Sequence, residues 1–128
     1  MATQQVRSWH DPAACRIREV LNRVGDKWSL TVIHELAPGP KRFTELKRDL
    51  GGVSQRMLTV TLRGLERDGL VTRTVHPVVP PRVDYALTTL ARTLLDTVMQ
   101  LVSWTVEHVD DIEQAQQLYD AKIIAEHR

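Results

Sequence analysis

The sequence predicts a mainly helical α+β fold, in which two packed helices lead into a helix, tight turn, helix unit, then a two-stranded hairpin and C-terminal helices. Three observations carry this reading. Apolar residues recur at helical spacing over most of the chain, Gly51-Gly52 separates two helical runs, and period-two alternation is confined to residues 71–75 and 83–87. At 128 residues, with 42% hydrophobic and 26% charged, the chain is the size of one domain, and two independent cores are not expected.

Each element follows from local chemistry. Asp11-Pro12 is a helix start, a capping carboxylate ahead of a proline whose missing N–H costs nothing in the first turn. Ile17, Val20, Leu21 and Val24 then form one apolar stripe that ends at Gly25. Asp26 caps a second helix with Trp28, Val32, Ile33 and Leu36 in register, stopped by Pro38-Gly39-Pro40. Lys41-Arg42-Phe43 reads as a short extended stub, with Thr44 capping a brief helix over residues 45–50. Ser54 caps the next helix, which buries Leu58, Leu62 and Leu65 and ends at Asp68-Gly69. Val71, Arg73 and Val75, then Val83, Tyr85 and Leu87, alternate as two strands joined by a stiff, proline-rich flap over residues 77–82. Thr88 or Thr89 caps a long helix over residues 90–109, and Asp110-Asp111 is expected to break it from a second helix over residues 112–125.

Charge is divided unevenly along the chain. The formal total is +1, yet residues 41–92 carry ten Lys/Arg against five Asp/Glu, and residues 93–128 carry two against seven. A basic middle and an acidic end fit a polyanion-binding face backed by a separate assembly surface. On a helical wheel Arg56, Thr59, Val60, Arg63 and Arg67 lie opposite the buried leucines, with Gln55 at the N-terminal end beside Ser54. Arg and Gln pair with guanine and adenine edges in a major groove, and Thr59 or Val60 could meet a thymine methyl. The alternative is an ordinary solvated face; its place as the second helix after a glycine turn favours double-stranded DNA. Arg82, at the end of the flap, could enter a minor groove, and Lys41, Arg42, Lys47, Arg48 and Arg73 could meet phosphates.

The long helix is the second informative feature. Its apolar residues, among them Leu94, Leu95, Val98, Met99, Leu101, Val102, Trp104 and Val106, cover an arc of roughly 220° where one core needs only ~100°. A second copy of the chain is the simplest cover, so a homodimer is expected; the alternative is that the first and last helices cover it. Cys15 lies near the start of the first helix beside Arg16 and Arg18, where dipole and cations favour a thiolate, or it is a small buried apolar residue. His10, His34, His76, His108 and His127 show no ligand spacing, so no metal is expected. Nucleotide, hydrolase and metalloprotease motifs are missing, and neither catalysis nor a cofactor is expected. The polar segment 1–10, the polar interruptions in 94–109 and the single cysteine point away from secretion, membrane insertion and disulfides, and toward the cytoplasm.

Residues 15–24, Gly25-Asp26-Lys27-Trp28-Ser29-Leu30, Arg42-Phe43-Thr44-Glu45-Leu46 and Val53-Ser54-Gln55-Arg56-Met57-Leu58 resemble the HxlR-type bacterial transcriptional regulators. So do Leu65-Glu66-Arg67-Asp68-Gly69-Leu70-Val71, the flap Val79-Pro80-Pro81-Arg82-Val83-Asp84-Tyr85 and Leu87-Thr88, so the resemblance spans residues 15–104. It implies a winged helix-turn-helix related to the MarR group, divided into an arm (1–12), a DNA-binding domain (13–92) and C-terminal dimerisation helices (89–128). It further implies a homodimer on pseudo-palindromic operator DNA without catalysis, with recognition starting at Gln55 and Arg82 in the wing; a repressor is the expected kind of regulator. Cys15 occupies the position of the thiol through which some members sense oxidants or electrophiles; a small-molecule effector is the other option. Thr89 and Ala91 stand where proline and glycine are frequent, and Gly64 interrupts the recognition helix at roughly 1 kcal/mol relative to alanine. A winged-helix module that binds proteins rather than DNA is the rival reading.

Overall fold

The computed structural model describes His10 and residues 12–127. Asp11, expected to cap the first helix, and most of the N-terminal arm lie outside the described residues. The order is α1 (Pro12–Val24), α2 (Lys27–Glu35), β1 (Lys41–Arg42), α3 (Phe43–Leu50), α4 (Gln55–Arg67), β2 (Val71–His76), β3 (Arg82–Leu87) and α5 (Thr89–Glu126). Two compact units result, the first reaching Leu95 and the second beginning at Asp96.

In the first unit the caps follow the sequence chemistry. The Asp26 carboxylate accepts from the Trp28 and Ser29 N–H groups at 3.2 and 3.1 Å, and Ser54 Oγ accepts from Met57 N–H at 3.0 Å. Helix α3 departs from expectation. It starts at Phe43 rather than after Thr44, because Glu45 reaches back to accept from the Arg42 N–H at 3.3 Å and so satisfies a donor one turn earlier. The tight link to α4 passes through Gly51 and Gly52 at φ 51° and 79°, a left-handed path that glycine takes without steric cost.

The core is built from Val32, Ile33 and Leu36 of α2 and its C-cap, Leu46 of α3, and Leu58, Leu62 and Leu65 of α4. Val71 and Tyr85 close it from the sheet. The three expected α4 leucines are thus buried together. The expected stripe of α1 is not covered in the same way: Val20 and Leu21 are exposed, and Ala14 is the buried residue of that helix. Periodicity marks an apolar face but not what lies against it.

The sheet is antiparallel in the order β1-β3-β2. Arg73 pairs with Tyr85 and His76 with Arg82 across the hairpin, and Lys41 pairs with Tyr85 on the other side. The extended stub is therefore a third strand, without Phe43. After β3, Thr88 joins three segments: its N–H donates to Leu70 O at 3.1 Å, its hydroxyl donates to Gly69 O at 2.7 Å, and the same oxygen accepts from Ala91 N–H at 3.1 Å, capping α5. Arg92 adds a bond to Ala37 O at 3.2 Å.

Helix α5 is continuous over 38 residues, which corrects the expected break at Asp110-Asp111. Aspartate lowers helix propensity by less than ~1 kcal/mol, and without glycine or proline nothing there stops propagation. Of the residues assigned to a dimer surface, Leu94 and Leu95 are half-buried and Val98 is already buried within the chain. Met99, Leu101, Val102, Trp104 and Val106 are exposed, as are Leu118, Tyr119 and Ile124 further along. No helix among the described residues is long and apolar enough to cross a membrane.

Candidate nucleic-acid interface

Helix α4 presents one side to the core and the other to solvent. Gln55, Arg56, Val60, Arg63 and Arg67 are exposed, whereas Leu58, Thr61, Leu62, Gly64 and Leu65 face inward. Thr59 is half-buried and its hydroxyl donates to Gln55 O at 2.8 Å. Ser54 Oγ is committed as the cap acceptor and retains its proton for donation.

Gly64 owes its place to a cation. A Cβ there would collide with the Arg23 guanidinium, which lies over α4 and pairs with Asp68 at 2.9 Å. The glycine thus permits close packing of the α1 C-terminus on α4.

The remaining basic residues differ in how free they are. The Lys41 ammonium is held between Glu35 at 2.9 Å and Asp49 at 3.1 Å. Hydrogen bonds to Glu35 and then Asp49 raise the Lys41 pKa above the ordinary lysine value, and those from Lys41 and then Arg48 lower that of Asp49. Lys41 therefore braces α2, β1 and α3, with its charge compensated. Arg42 lies 4.0 Å from Glu45 and Arg48 3.3 Å from Asp49, both with largely exposed side chains. Lys47 and Arg73 are exposed.

Arg82 opens β3 at the tip end of the hairpin ladder, paired with His76 directly beside the loop. Its guanidinium lies 3.4 Å from Asp84 Oδ2, which also meets His76 Nε2 at 2.8 Å. The wing tip itself is formed by Val78, Val79 and the prolines, with Val79 fully exposed. Sequence reasoning missed the His76–Asp84 contact; its signal is the diagonal relation between a strand-end histidine and a carboxylate two residues beyond its cross-strand partner.

Two clefts flank α4 on its wing side. One of about 650 Å³ lies between the wing tip and the starts of α3 and α4, with Arg42, Thr44, Gln55 and Thr59 in its walls. Another of about 280 Å³ is lined by Thr59, Arg63 and Glu66 of α4 with Arg73 and Tyr85 of the sheet. Tyr85 and Glu66 were not among the expected site residues; the alternation of β3 places Tyr85 inward but does not say against what.

A three-stranded sheet behind a helix, glycine turn, helix unit, with a basic outward face on the second helix and a projecting hairpin, defines a winged helix-turn-helix protein. The family model for HxlR-like helix-turn-helix proteins matches residues 23–113, and the chain belongs to that family of transcriptional regulators. The uncharacterized HTH-type transcriptional regulator YtfH of Escherichia coli (strain K12) is 42% identical over 90 residues, 70% of this chain and 71% of that protein. The structure of ytfH from Salmonella typhimurium, named as a transcriptional regulator, aligns with a TM-score of 0.77 at 34% identity, covering 90% of this chain and 99% of that one. The redox regulator HypR in its oxidized form aligns with a TM-score of 0.68 at 41% identity, covering 73% and 96%.

Proposed function

We propose that the chain is a cytoplasmic, sequence-specific repressor that binds a pseudo-palindromic operator as a homodimer. The observation that carries this reading is the exposed face of α4, where Gln55, Arg56 and Arg63 stand clear of the core on a helix whose N-terminus is free to enter a major groove. Two such helices separated by ~34 Å would read successive major grooves, with the wings alongside. The exposed apolar residues of α5, with Trp104 and Val106 foremost, supply the surface for the second copy.

Cys15 is the proposed sensor. Its thiol is exposed on α1, as required for reaction with an oxidant or electrophile, and the likeness to a redox regulator supports the same reading.

Sequencing of genomic fragments retained by the purified protein at near-physiological salt tests both parts, with reduced wild type, oxidant-treated wild type and Cys15→Ser run in parallel. An enriched inverted repeat, lost on oxidation of the wild type but kept by Cys15→Ser, is the expected result. Equal loss in both proteins would remove Cys15 from sensing. No enrichment in any sample would leave a protein-binding module as the better description.

A further inference from the structure

Among the cations of the first unit, Arg63 and Arg73, like Lys47, Arg56 and Arg67, are exposed with no ion pair among the described residues. Arg23, Lys41, Arg42, Arg48 and Arg82 each have a carboxylate within 4.0 Å, whereas among the described residues no carboxylate lies that close to Arg63 or Arg73. The two nevertheless line one cleft, reached from opposite sides: Arg63 from α4 and Arg73 from β2. Tyr85 lies directly across the ladder from Arg73, on the same face of the sheet, and is itself buried. Thr59 and Tyr85 also line the larger cleft under the wing, so the two clefts adjoin along the groove between α4 and the wing.

The position of Arg63 along α4 sharpens the point. In helix-turn-helix docking, residues at the N-terminal end of the recognition helix meet base edges. Arg56 is at that end; Arg63 lies seven residues further, ~10 Å along the axis. On the wheel Arg63 leans from the crest toward the wing-side row of Gln55, Thr59 and Glu66, which is the row that lines the clefts.

We propose that Arg63 and Arg73 clamp a single phosphodiester of the DNA backbone, one guanidinium from the recognition helix and one from the wing sheet. The inference rests on the DNA-binding reading above and reassigns Arg63 from base recognition to backbone positioning. A phosphodiester offers two non-bridging oxygens to such donors, and two guanidiniums form charge-assisted bonds to them without selecting a base. Glu66, in the same cleft, opposes the incoming anion and sets an upper limit on the affinity of the clamp.

The test is the salt dependence of binding to an operator duplex and to a random duplex by fluorescence anisotropy. Arg63→Ala and Arg73→Ala should each weaken both duplexes roughly tenfold at 0.15 M salt, leaving the ratio of the two affinities unchanged. The double variant should lower the salt slope by about one unit, because one phosphate is lost, where two separate phosphates would lower it by about two. Glu66→Gln should tighten both duplexes equally, and it reads the site without removing either arginine. A loss of base preference in Arg63→Ala, or a two-unit fall in the double variant, would overturn the clamp. So would saturable binding of inorganic phosphate to the free protein, followed by arginine side-chain NMR, with DNA affinity unchanged in both arginine variants; that would make the cleft a small-anion site. Failure to enrich any operator, with the arginine effects on random duplex intact, would remove the sequence-specific reading and leave the clamp standing.

Discussion

Gly64 shows how one residue without a side chain serves a neighbour's charge. Alanine at this position gains about 1 kcal/mol of helix propensity but must displace the guanidinium of Arg23 from its bridge to Asp68, a half-exposed pair that contributes at most about 1 kcal/mol. Gly64→Ala should therefore leave thermal stability close to wild type, while in an Arg23→Ala background the same change should stabilise by about 1 kcal/mol; equal effects in both backgrounds would show that the arginine does not occupy the space. For Arg56, exposed in the first turn of α4, the proposed role is of the opposite kind. Arg56→Ala should reduce discrimination at one operator position by about 1–3 kcal/mol, measured against single-base operator variants, whereas Lys47→Ala should weaken every duplex alike and lower the salt slope by about one unit. Neither contrast depends on the fold changing, since both side chains are exposed.

Between elements, the packing of α4 is apolar and does not titrate, whereas the brace at Lys41 does. Leu62 is buried among the helices, and Leu62→Ala should cost about 2–5 kcal/mol in chemical denaturation through lost burial and the cavity left behind. The Lys41 brace is electrostatic and responds to titration. Asp49 has a lowered pKa when folded, so its stabilisation is present above the unfolded carboxylate value and is lost as pH falls through the folded one. Lys41 has a raised pKa, so its stabilisation is present below the ordinary lysine value and is lost as pH rises through the folded one. Lys41→Met should consequently reduce the acid dependence of unfolding that Asp49 contributes; an unchanged acid limb would exclude the brace from stability. The helices and hairpin of this unit were legible in the sequence because caps, glycine turns and apolar periods are local signals. The pairing of Lys41 and Arg42 with β3 was not, since two residues carry no periodicity and their partners lie some forty positions away. Arg82 stands at the end of the flap, as its place in the sequence indicates, but the register that sets it beside His76 and Asp84 was not legible.

For the molecule as a whole, the segregation of charge and apolar surface is the organising feature. The basic excess falls on residues 41–92 and the acidic excess on residues 93–128, so the surface proposed to meet DNA and the surface proposed to meet a second copy carry different chemistry. Val106 is 71% exposed on α5, and Val106→Asp should yield a monomer in sedimentation velocity with the helical content retained. Operator affinity should then fall roughly 100-fold or more, because two half-sites are no longer engaged by linked modules; a monomeric variant with full affinity would refute dimeric binding. The surplus apolar arc of this helix was visible in the sequence, but its unbroken length was not, because Asp110-Asp111 resembles a boundary yet lacks the backbone chemistry of one. The Thr88 hydroxyl connects the two halves of this picture. One oxygen both closes the turn after α4 and caps α5, so opening on one side is expected to loosen the other. Hydrogen exchange at Leu70 and at Ala91 should therefore slow and quicken together, and in Thr88→Val, which keeps the shape but neither bond, both should quicken while the helices' central amides keep their protection.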